Sequence, residues 1–493
     1  MTNTDGSTAS DASDGIAKLR RFHGDLQKVK TGSTDLTQVE EEIRAALDEV
    51  GRELMAAVLA AANVDDLEIT VNGVLHSRLH ARRETIHTTF GAVEVEQTVY
   101  SRGRGHPTVA PMEKTLGLVE RYYTPKCAKV LCHLTAVVVR EEAAALLREL
   151  GGISVGDATL HRLPLKIMAR YERDRTVIEP VLRQRSEIPD AAVSMQVGLD
   201  GVMVPQDGEH CNPRGREPRS GDPDPPRYER AYGVVTQPGP AACDATMGTA
   251  WHEASVGTIA YHDAEGVHLS TVYMGRMPEA KKATLTQMLK AEALHALALR
   301  PDLVPVMASD GALGQWESLA EITAALPEPA REITVWLTDF HHAAGHLGDA
   351  CNVIDGKGSA SAQVRTRDLC ETLKAYDDGA ERVTQRLRHY RRKATTEKAC
   401  DELDSVIGYL ENNRARVGYK AAIDRNLPIA TGPTEAAAKT LVNVRMKRSG
   451  ARFSQHGGQT VLSLRAALKS GRFNDLMEVL GESYKATVVK RAA

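Results

Sequence analysis

The chain has 493 residues and a formal net charge of −3, so its bulk charge does not indicate a basic nucleic-acid-binding protein. No run approaches the roughly 18 apolar residues of a membrane span, and the N-terminus lacks the apolar core of a signal peptide. The seven Cys are scattered without a CxxC pair, which argues against zinc ribbons and disulfide scaffolds and favours a reducing, cytoplasmic setting.

The N-terminal part is predicted to be mainly helical. Residues 1–14 are small, polar and acidic, so we expect a disordered tail. Residues 15–75 contain two helical stretches, Ile16–Val29 and Leu36–Ala62, and the second places apolar residues at steps of three and four. The simplest interpretation is a helical hairpin that packs on the chain or mediates oligomerisation.

A β unit and a helical region are predicted next, over residues 76–122 and 123–190. Between Glu84 and Tyr100 apolar and polar residues alternate around a turn at Gly91, which is typical of a β-hairpin. In the helical region, one helix ends at a Gly-Gly pair and another follows, which is the pattern of a helix-turn-helix. Helical hairpins with glycine turns are common in other proteins too, so this pattern leaves a purely structural role open.

An α/β domain is predicted from residue 191 onward, because strands and helices alternate over residues 191–339. Within it, residues 207–249 have the Pro, Gly, Arg and Asp content of a long loop insertion. Residues 340–430 are almost entirely helical, and residues 431–493 complete the domain. The predicted strands are SMQVGLD, Val256–His262, Val267–Met274, LVPVMASD and ITVWLTD.

Three of these strands end in an aspartate: Asp200, Asp310 and Asp339. Any one of them is explained by capping of the turn or helix that follows. Three in one domain favour a shared divalent cation such as Mg²⁺, which binds carboxylate oxygens and accompanies phosphate substrates. The strand-end pattern alone does not decide between Asp310 and Asp339.

A fourth acid, Glu435, opens a helix and precedes a purely basic stretch. Residues 436–473 contain eight Lys and Arg and no acid, whereas solvated surfaces usually mix both signs. This pattern favours a metal ligand beside a phosphate-binding surface. A second basic run, residues 382–398, is either another such surface or a charged helix face. A zinc hydrolase built on His342 and His346 is a weaker alternative, because the sequence offers no third ligand.

The motifs GLDGVMVP, ASDGALGQWESLAEI, LTDFHHAAGHL and GPTEAAAKTLVNVRMKRSGARFS, in this order, resemble bacterial insertion-sequence transposases of the DDE type. The chain is most similar to the ISKra-type group, which is related to the Mutator superfamily, and the similarity covers roughly residues 80–475. The resemblance implies an RNase H-like α/β core with an all-α insertion before the final glutamate. It also implies strand cleavage and transfer that depend on two Mg²⁺ ions, with Mn²⁺ as a possible substitute.

By motif, the resemblance places the catalytic and metal-binding triad on Asp200, Asp310 and Glu435. The [C/D]xxH signature of the superfamily falls on Asp339 and His342, which become residues that support the site or serve as an alternative ligand. The partners implied are transposon-end DNA and target DNA, bound by a homodimer or higher homo-oligomer associated with the bacterial nucleoid. The candidate DNA-binding residues are Arg102, Arg104, Thr159, His161, Arg162, Lys439, Arg445, Lys447, Arg448 and Arg452.

Two alternative functions remain compatible with the sequence. One is a domesticated or inactive relative that only binds DNA as a regulator. The other is an RNase H-like nuclease that cuts DNA without strand transfer. The intact triad argues against the first, and the sequence does not distinguish the second from a transposase.

Overall fold

The computed structural model describes residues 35–207, 243–244, 249–448 and 451–490, together with Ala17 and Arg20. Over these residues the protein is a mixed α/β structure with two β-sheets. It divides into two compact units, Met1–Glu179 with Phe473–Ala493, and Pro180–Arg472. The predicted tail, nearly all of the predicted first helix and most of the predicted loop 207–249 lie outside the described residues.

The first unit contains a four-stranded antiparallel sheet, in the order β10 (Val488–Lys490), β1 (Glu68–Val71), β2 (Val74–Thr88) and β3 (Gly91–Ser101). Its long hairpin pairs Thr88 with Gly91 at the turn, so the β-hairpin predicted around Gly91 is confirmed. The helices are α1 (Leu36–Ala61), α2 (Pro111–Leu116), α3 (Pro125–Val137), α4 (Arg140–Leu150) and α5 (Asp157–Gln184), the last of which continues into the second unit.

The end of the chain belongs to this first unit, contrary to the boundary predicted from the sequence. Helix α17 (Phe473–Glu482) and strand β10 (Val488–Lys490) fall in it, and β10 pairs antiparallel with β1. The boundaries predicted for the N-terminal helices (15–75) and for the last part of the α/β domain (431–493) are therefore wrong. A strand of three residues that pairs across the length of the chain leaves no local pattern to recognise.

The second unit contains a mixed sheet in which β4 is central. On one side β6 pairs antiparallel with β4, and β7 pairs antiparallel with β6. On the other side β8 pairs parallel with β4, and β9 pairs parallel with β8. Every strand predicted in this region is present. The strands are β4 (Ser194–Asp207), β5 (Cys243–Asp244), β6 (Thr249–His262), β7 (His268–Arg276), β8 (Val304–Ser309) and β9 (Val335–Thr338).

Helices cover both faces of this sheet because successive strand residues point to opposite sides. One face packs Met195, Val197 and Leu199 against α6 (Ala283–Leu299) and α7 (Leu313–Ala325); α8 (Glu328–Glu332) precedes β9. The opposite face is covered by the helices that follow β9. These are α9 (Phe340–Asp355), α10 (Ala360–Ala375), α11 (Gly379–Lys393), α12 (Glu397–Asn412), α13 (Tyr419–Ile423), α14 (Gly432–Ala437), a π-helical turn (Ala438–Asn443), α15 (Val444–Met446) and α16 (Gln455–Lys469).

The predicted all-α block is present as helices α9 to α13, and none of residues 340–430, all of which are described, lies in a strand. Its core joins Leu347, Leu369 and Leu403 to Val306 and Leu337 of the sheet. The block therefore packs on the parallel half of the sheet, next to the ends of β8 and β9.

A close approach between β4 and α14 depends on Gly198. A Cβ atom at this position would lie 2.1 Å from Oγ1 of Thr434, which is itself 2.7 Å from Oγ1 of Thr258 on β6. Only a residue without a side chain fits between these groups. Gly198 therefore lets the helix that carries Glu435 lie directly on the strand that carries Asp200.

We expect Gly198→Ala to lower the free energy of unfolding by about 1–3 kcal/mol, as overpacked substitutions do. The double variant Gly198→Ala/Thr434→Ala should lose less than the sum of the two single losses, because it lacks the oxygen that causes the clash. Urea titrations measure both. Gly345→Ala in α9, where a Cβ meets nothing within 4 Å, is the control and should not destabilise the protein. Additive losses in the double variant would contradict this account.

Candidate active site

The three strand-end aspartates form one row at an edge of the mixed sheet. The parallel pairings align Gly198 with Ala308 and Ala308 with Leu337. Asp200, Asp310 and Asp339 each lie two residues beyond these aligned positions. They therefore share a face and a level, and neighbouring strands lie about 4.8 Å apart. Asp310 occupies the middle of the row, between the other two.

Glu435 approaches this row from above the sheet. It follows Thr434 in α14, and Thr434 contacts Gly198 two residues before Asp200. The pKa of Asp200 is raised, first by burial and then by the negative charges of Asp310, Glu253 and Glu435, against the opposing hydrogen bond from the Gly201 amide. The charges of Asp310, Glu253 and Glu435 thus lie close enough to Asp200 to act on its carboxyl group.

Asp200 and Asp310 are each held by one carboxylate oxygen. The backbone amide of Gly201 donates to Oδ1 of Asp200 at 2.7 Å, and that of Ala312 donates to Oδ1 of Asp310 at 3.0 Å. Among the described residues, no hydrogen bond reaches Oδ2 of either aspartate or the carboxylate of Glu435. Two fixed aspartates and an exposed glutamate therefore keep carboxylate oxygens available for a ligand.

Asp339 differs because both of its oxygens are used within the protein. Oδ1 caps α9 by accepting from the His342 amide at 2.7 Å, and Oδ2 accepts from the backbone amide and from Oγ1 of Thr431, the latter at 2.5 Å. Asp339 is also buried, at 1% exposure. This geometry favours Asp310 as the ligand and gives Asp339 the role of tethering the segment just before α14.

His342 is exposed and forms a small aromatic group with His346 and Tyr409. The Nε2 atoms of the two histidines are 3.1 Å apart, and the ring of His346 lies 4.3 Å from that of Tyr409. The hydroxyl of Tyr409 donates to the carbonyl oxygen of Asp310 at 3.3 Å. Helix α12 of the helical block thereby supports the turn that carries Asp310.

Within the part of the chain that the structure describes, no group of three or more His, Cys, Asp and Glu side chains is arranged to hold a metal ion. A zinc site, which needs three or four protein ligands, is therefore not supported at His342 and His346. Mg²⁺ is less demanding, since one or two carboxylates, waters and substrate phosphates suffice to bind it. The free oxygens of Asp200, Asp310 and Glu435 fit that chemistry.

The basic stretch after Glu435 separates into exposed and internal side chains. Lys439, Lys447, Arg448 and Arg452 are exposed. Arg445, predicted to contact DNA, is instead buried, with its guanidinium 5.6 Å from the ring centre of Phe453. That prediction is wrong because the sequence does not show which side of this short helix faces the sheet.

Two further positive charges of this stretch are also internal. Arg465 donates to the carbonyl oxygen of Thr440 in the π-helical turn, and Arg472 forms an ion pair with Glu292. The second basic run matches its structural alternative, a charged helix face, because four of its arginines pair with acids of the helical block. The pairs are Arg382–Asp378, Arg386–Asp368, Arg388–Glu411 and Arg391–Asp404.

In the first unit, most of the predicted DNA-contacting residues are exposed. Arg102 and Arg104 lie in the loop after β3, and His161 and Arg162 lie near the start of α5. Thr159 is half-buried, and its hydroxyl is 3.5 Å from that of Tyr123. Thr159 therefore contributes more to packing than the sequence suggested.

Glu253 is a further acid near Asp200 that the sequence patterns do not single out. It lies on β6 opposite Met203, its charge raises the pKa of Asp200, and it forms an ion pair with Lys282. Lys282 has a φ of +51°, in the left-handed region that a lysine rarely adopts. A single glutamate in an alternating strand belongs to no motif, so no local pattern marks it.

No protein-family model matches the chain, and a search of the curated proteins finds no match either. No helix within the described residues is long and apolar enough to cross a membrane.

We expect Asp200→Asn to raise the thermal unfolding midpoint at neutral pH in the absence of divalent cations. A carboxyl group whose pKa is raised in the folded state costs stability above that pKa and nothing below its unfolded pKa. The gain should therefore shrink as pH falls through the raised pKa of Asp200. Thermal scans between pH 4 and 8 measure it, and a gain that does not change with pH would contradict the assignment.

Asp339→Asn should have the opposite effect and lower the free energy of unfolding by about 1–3 kcal/mol at neutral pH, because an amide cannot accept all the hydrogen bonds that both carboxylate oxygens accept. Urea unfolding measures the loss. Glu332→Gln serves as the control. Glu332 is exposed and lies just before β9, at the opposite end of that strand from Asp339, so the substitution should leave stability unchanged. An Asp339→Asn variant that unfolds with the same free energy as wild type would contradict the tethering role.

Proposed function

We propose that this protein is a DDE-type DNA transposase that cleaves and joins phosphodiester bonds with divalent metal ions. The observation that carries the proposal is that Asp200 and Asp310 lie at neighbouring strand ends with oxygens left free by the described protein groups, and that the charges of Asp310 and Glu435 both act on Asp200. Strand-end carboxylates with available oxygens suit Mg²⁺ and phosphate chemistry.

The architecture supports an RNase H-like core. The acids come from strand β4, from the end of β8 and from a helix after an all-α block, in the chain order that the resemblance implies. The mixed sheet has helices on both faces, and the all-α block lies between the second and third acids. A core of this type is part of the proposal.

The proposed chemistry assigns separate tasks to the chain's own groups. Bound Mg²⁺ would activate water or a 3′-hydroxyl and stabilise the charge that develops at the scissile phosphate. Asp200, Asp310 and Glu435 would hold the ions with their carboxylate oxygens. The Gly201 and Ala312 amides fix one oxygen of each aspartate, so little reorganisation is needed when substrate binds.

DNA binding is proposed for exposed basic groups in both units. Lys439 follows Glu435 by four residues, and Lys447, Arg448 and Arg452 continue the exposed basic surface. In the first unit, α4 and α5 are proposed as a helix-turn-helix, with His161 and Arg162 facing the transposon end. Their connection, residues 151–156, is longer than the three or four residues usual for this motif. Nucleoid association and a homo-oligomeric synaptic complex follow from this function.

Cleavage and joining can be tested directly. Purified protein is incubated with labelled duplexes that flank its own gene and with a target plasmid, with and without Mg²⁺. We expect wild type and Glu332→Gln to cut the duplex and join it to the plasmid, and Asp200→Asn, Asp310→Asn and Glu435→Gln to be inactive, because each loses a charged ligand. Asp339→Asn should retain part of the activity per folded molecule.

Each alternative function gives a different outcome in this assay. Cutting without joining would favour the nuclease, and DNA binding without cutting would favour the regulator. Cleavage that persists in Asp200→Asn would overturn the proposed site. An inactive Asp339→Asn beside an active Asp310→Asn would reverse the assignment of the second ligand.

A further inference from the structure

Gln315, in the first turn of α7, lies directly beneath the proposed metal site. Its side chain is only 5% exposed, so its amide must find hydrogen-bond partners inside the protein. The amide orientation that satisfies its neighbours directs the nitrogen to the carbonyl oxygen of Leu199 at 3.1 Å and to Oδ1 of Asp310 at 2.8 Å. One side chain therefore connects the residue before Asp200 to the carboxylate of Asp310.

This connection lies where the sheet itself no longer joins the two strands. The pairing of β4 with β8 ends at Gly198 and Ala308, so the residues that carry the two carboxylates lie beyond the last paired position. An amide nitrogen has two hydrogens to donate, and in this orientation Oγ of Ser309 is a third oxygen within its reach, besides the Leu199 carbonyl oxygen and Oδ1 of Asp310.

We propose that Gln315 is a positioning residue that sets the separation of Asp200 and Asp310 and so determines the affinity of the site for a divalent cation. Its hydrogen bond goes to the same oxygen, Oδ1, that the Ala312 amide holds, which leaves Oδ2 of Asp310 for the ion. Ser309, whose hydroxyl contacts both Gln315 and Asp310, completes the support. The inference rests on the proposed function, since it concerns the same site.

The matched control is Gln459, another buried glutamine of the same unit. Its amide nitrogen donates to the carbonyl oxygen of Gly275 at 3.1 Å, and its oxygen accepts from the Met277 amide at 2.9 Å. These partners belong to the end of β7, on the side of the sheet away from β8. Gln315→Met and Gln459→Met thus remove the same chemical group at similar burial, and only the first touches the aspartates.

The experiment is a Mn²⁺ titration of the full chain without DNA. Calorimetry or electron paramagnetic resonance measures the binding. We expect Gln315→Met to weaken Mn²⁺ binding by roughly 10- to 100-fold, the usual effect of removing a partner of a metal ligand. Gln459→Met should bind Mn²⁺ as wild type does, although both variants lose some thermal stability. Gln315→Asn keeps the amide but shortens its reach, so its Mn²⁺ affinity should lie between those of Gln315→Met and wild type. It replaces Gln315→Met in the test if that variant does not fold.

Cleavage assays add a second readout. In Gln315→Met the Mg²⁺ concentration for half-maximal cleavage should rise by a similar factor, and the rate should recover at saturating Mg²⁺, because the ligands themselves are intact. Equal Mn²⁺ affinity in wild type and Gln315→Met would overturn the inference and leave the proposed function standing. A wild-type chain that neither binds Mn²⁺ nor cuts DNA would overturn the proposed function and the inference with it.

Discussion

The ionised carboxyl group of Asp200 is the constraint on which the candidate site depends. Burial raises the pKa of Asp200, and the negative charges of Asp310, Glu253 and Glu435 raise it further, so the ionised group costs stability at neutral pH. The surrounding residues hold this group and its neighbours in place. Strand register aligns the aspartates, Gly198 admits the helix of Glu435, and Asp339 tethers the segment that leads into that helix. Stability given up in this way is characteristic of functional sites.

The strands of this site were predictable because the local pattern is strong. Apolar runs that end in aspartate identify β4, β8 and β9, and parallel pairing then brings their ends together. The same local pattern does not decide whether Asp310 or Asp339 is the second metal ligand, since both end similar strands. The partner that distinguishes them is Thr431, which lies 92 residues after Asp339 in the chain. Contacts of that separation leave no trace in a single sequence.

The distribution of charge along the chain only partly predicts which basic residues are exposed. The basic stretch after Glu435 is real as a sequence feature, but Arg445, Arg465 and Arg472 serve the interior. A run of positive residues does not tell which of them face the sheet, because a short helix followed by a turn has no clear period. In the helical block, acids that are distant in sequence pair with the arginines of α11. The positive charges that remain exposed are therefore fewer and more localised than the number of Lys and Arg in these runs suggests.

The pairing of β10 with β1 has a consequence for how the molecule is made. Because β10 comprises residues 488–490, the first sheet cannot be completed until these residues have left the ribosome. During synthesis the edge of β1 stays unpaired while the entire second unit emerges. The second unit can fold as it is translated, whereas the first waits for residues 488–490. Premature termination before residue 488 would therefore damage a sheet whose other strands were synthesised much earlier.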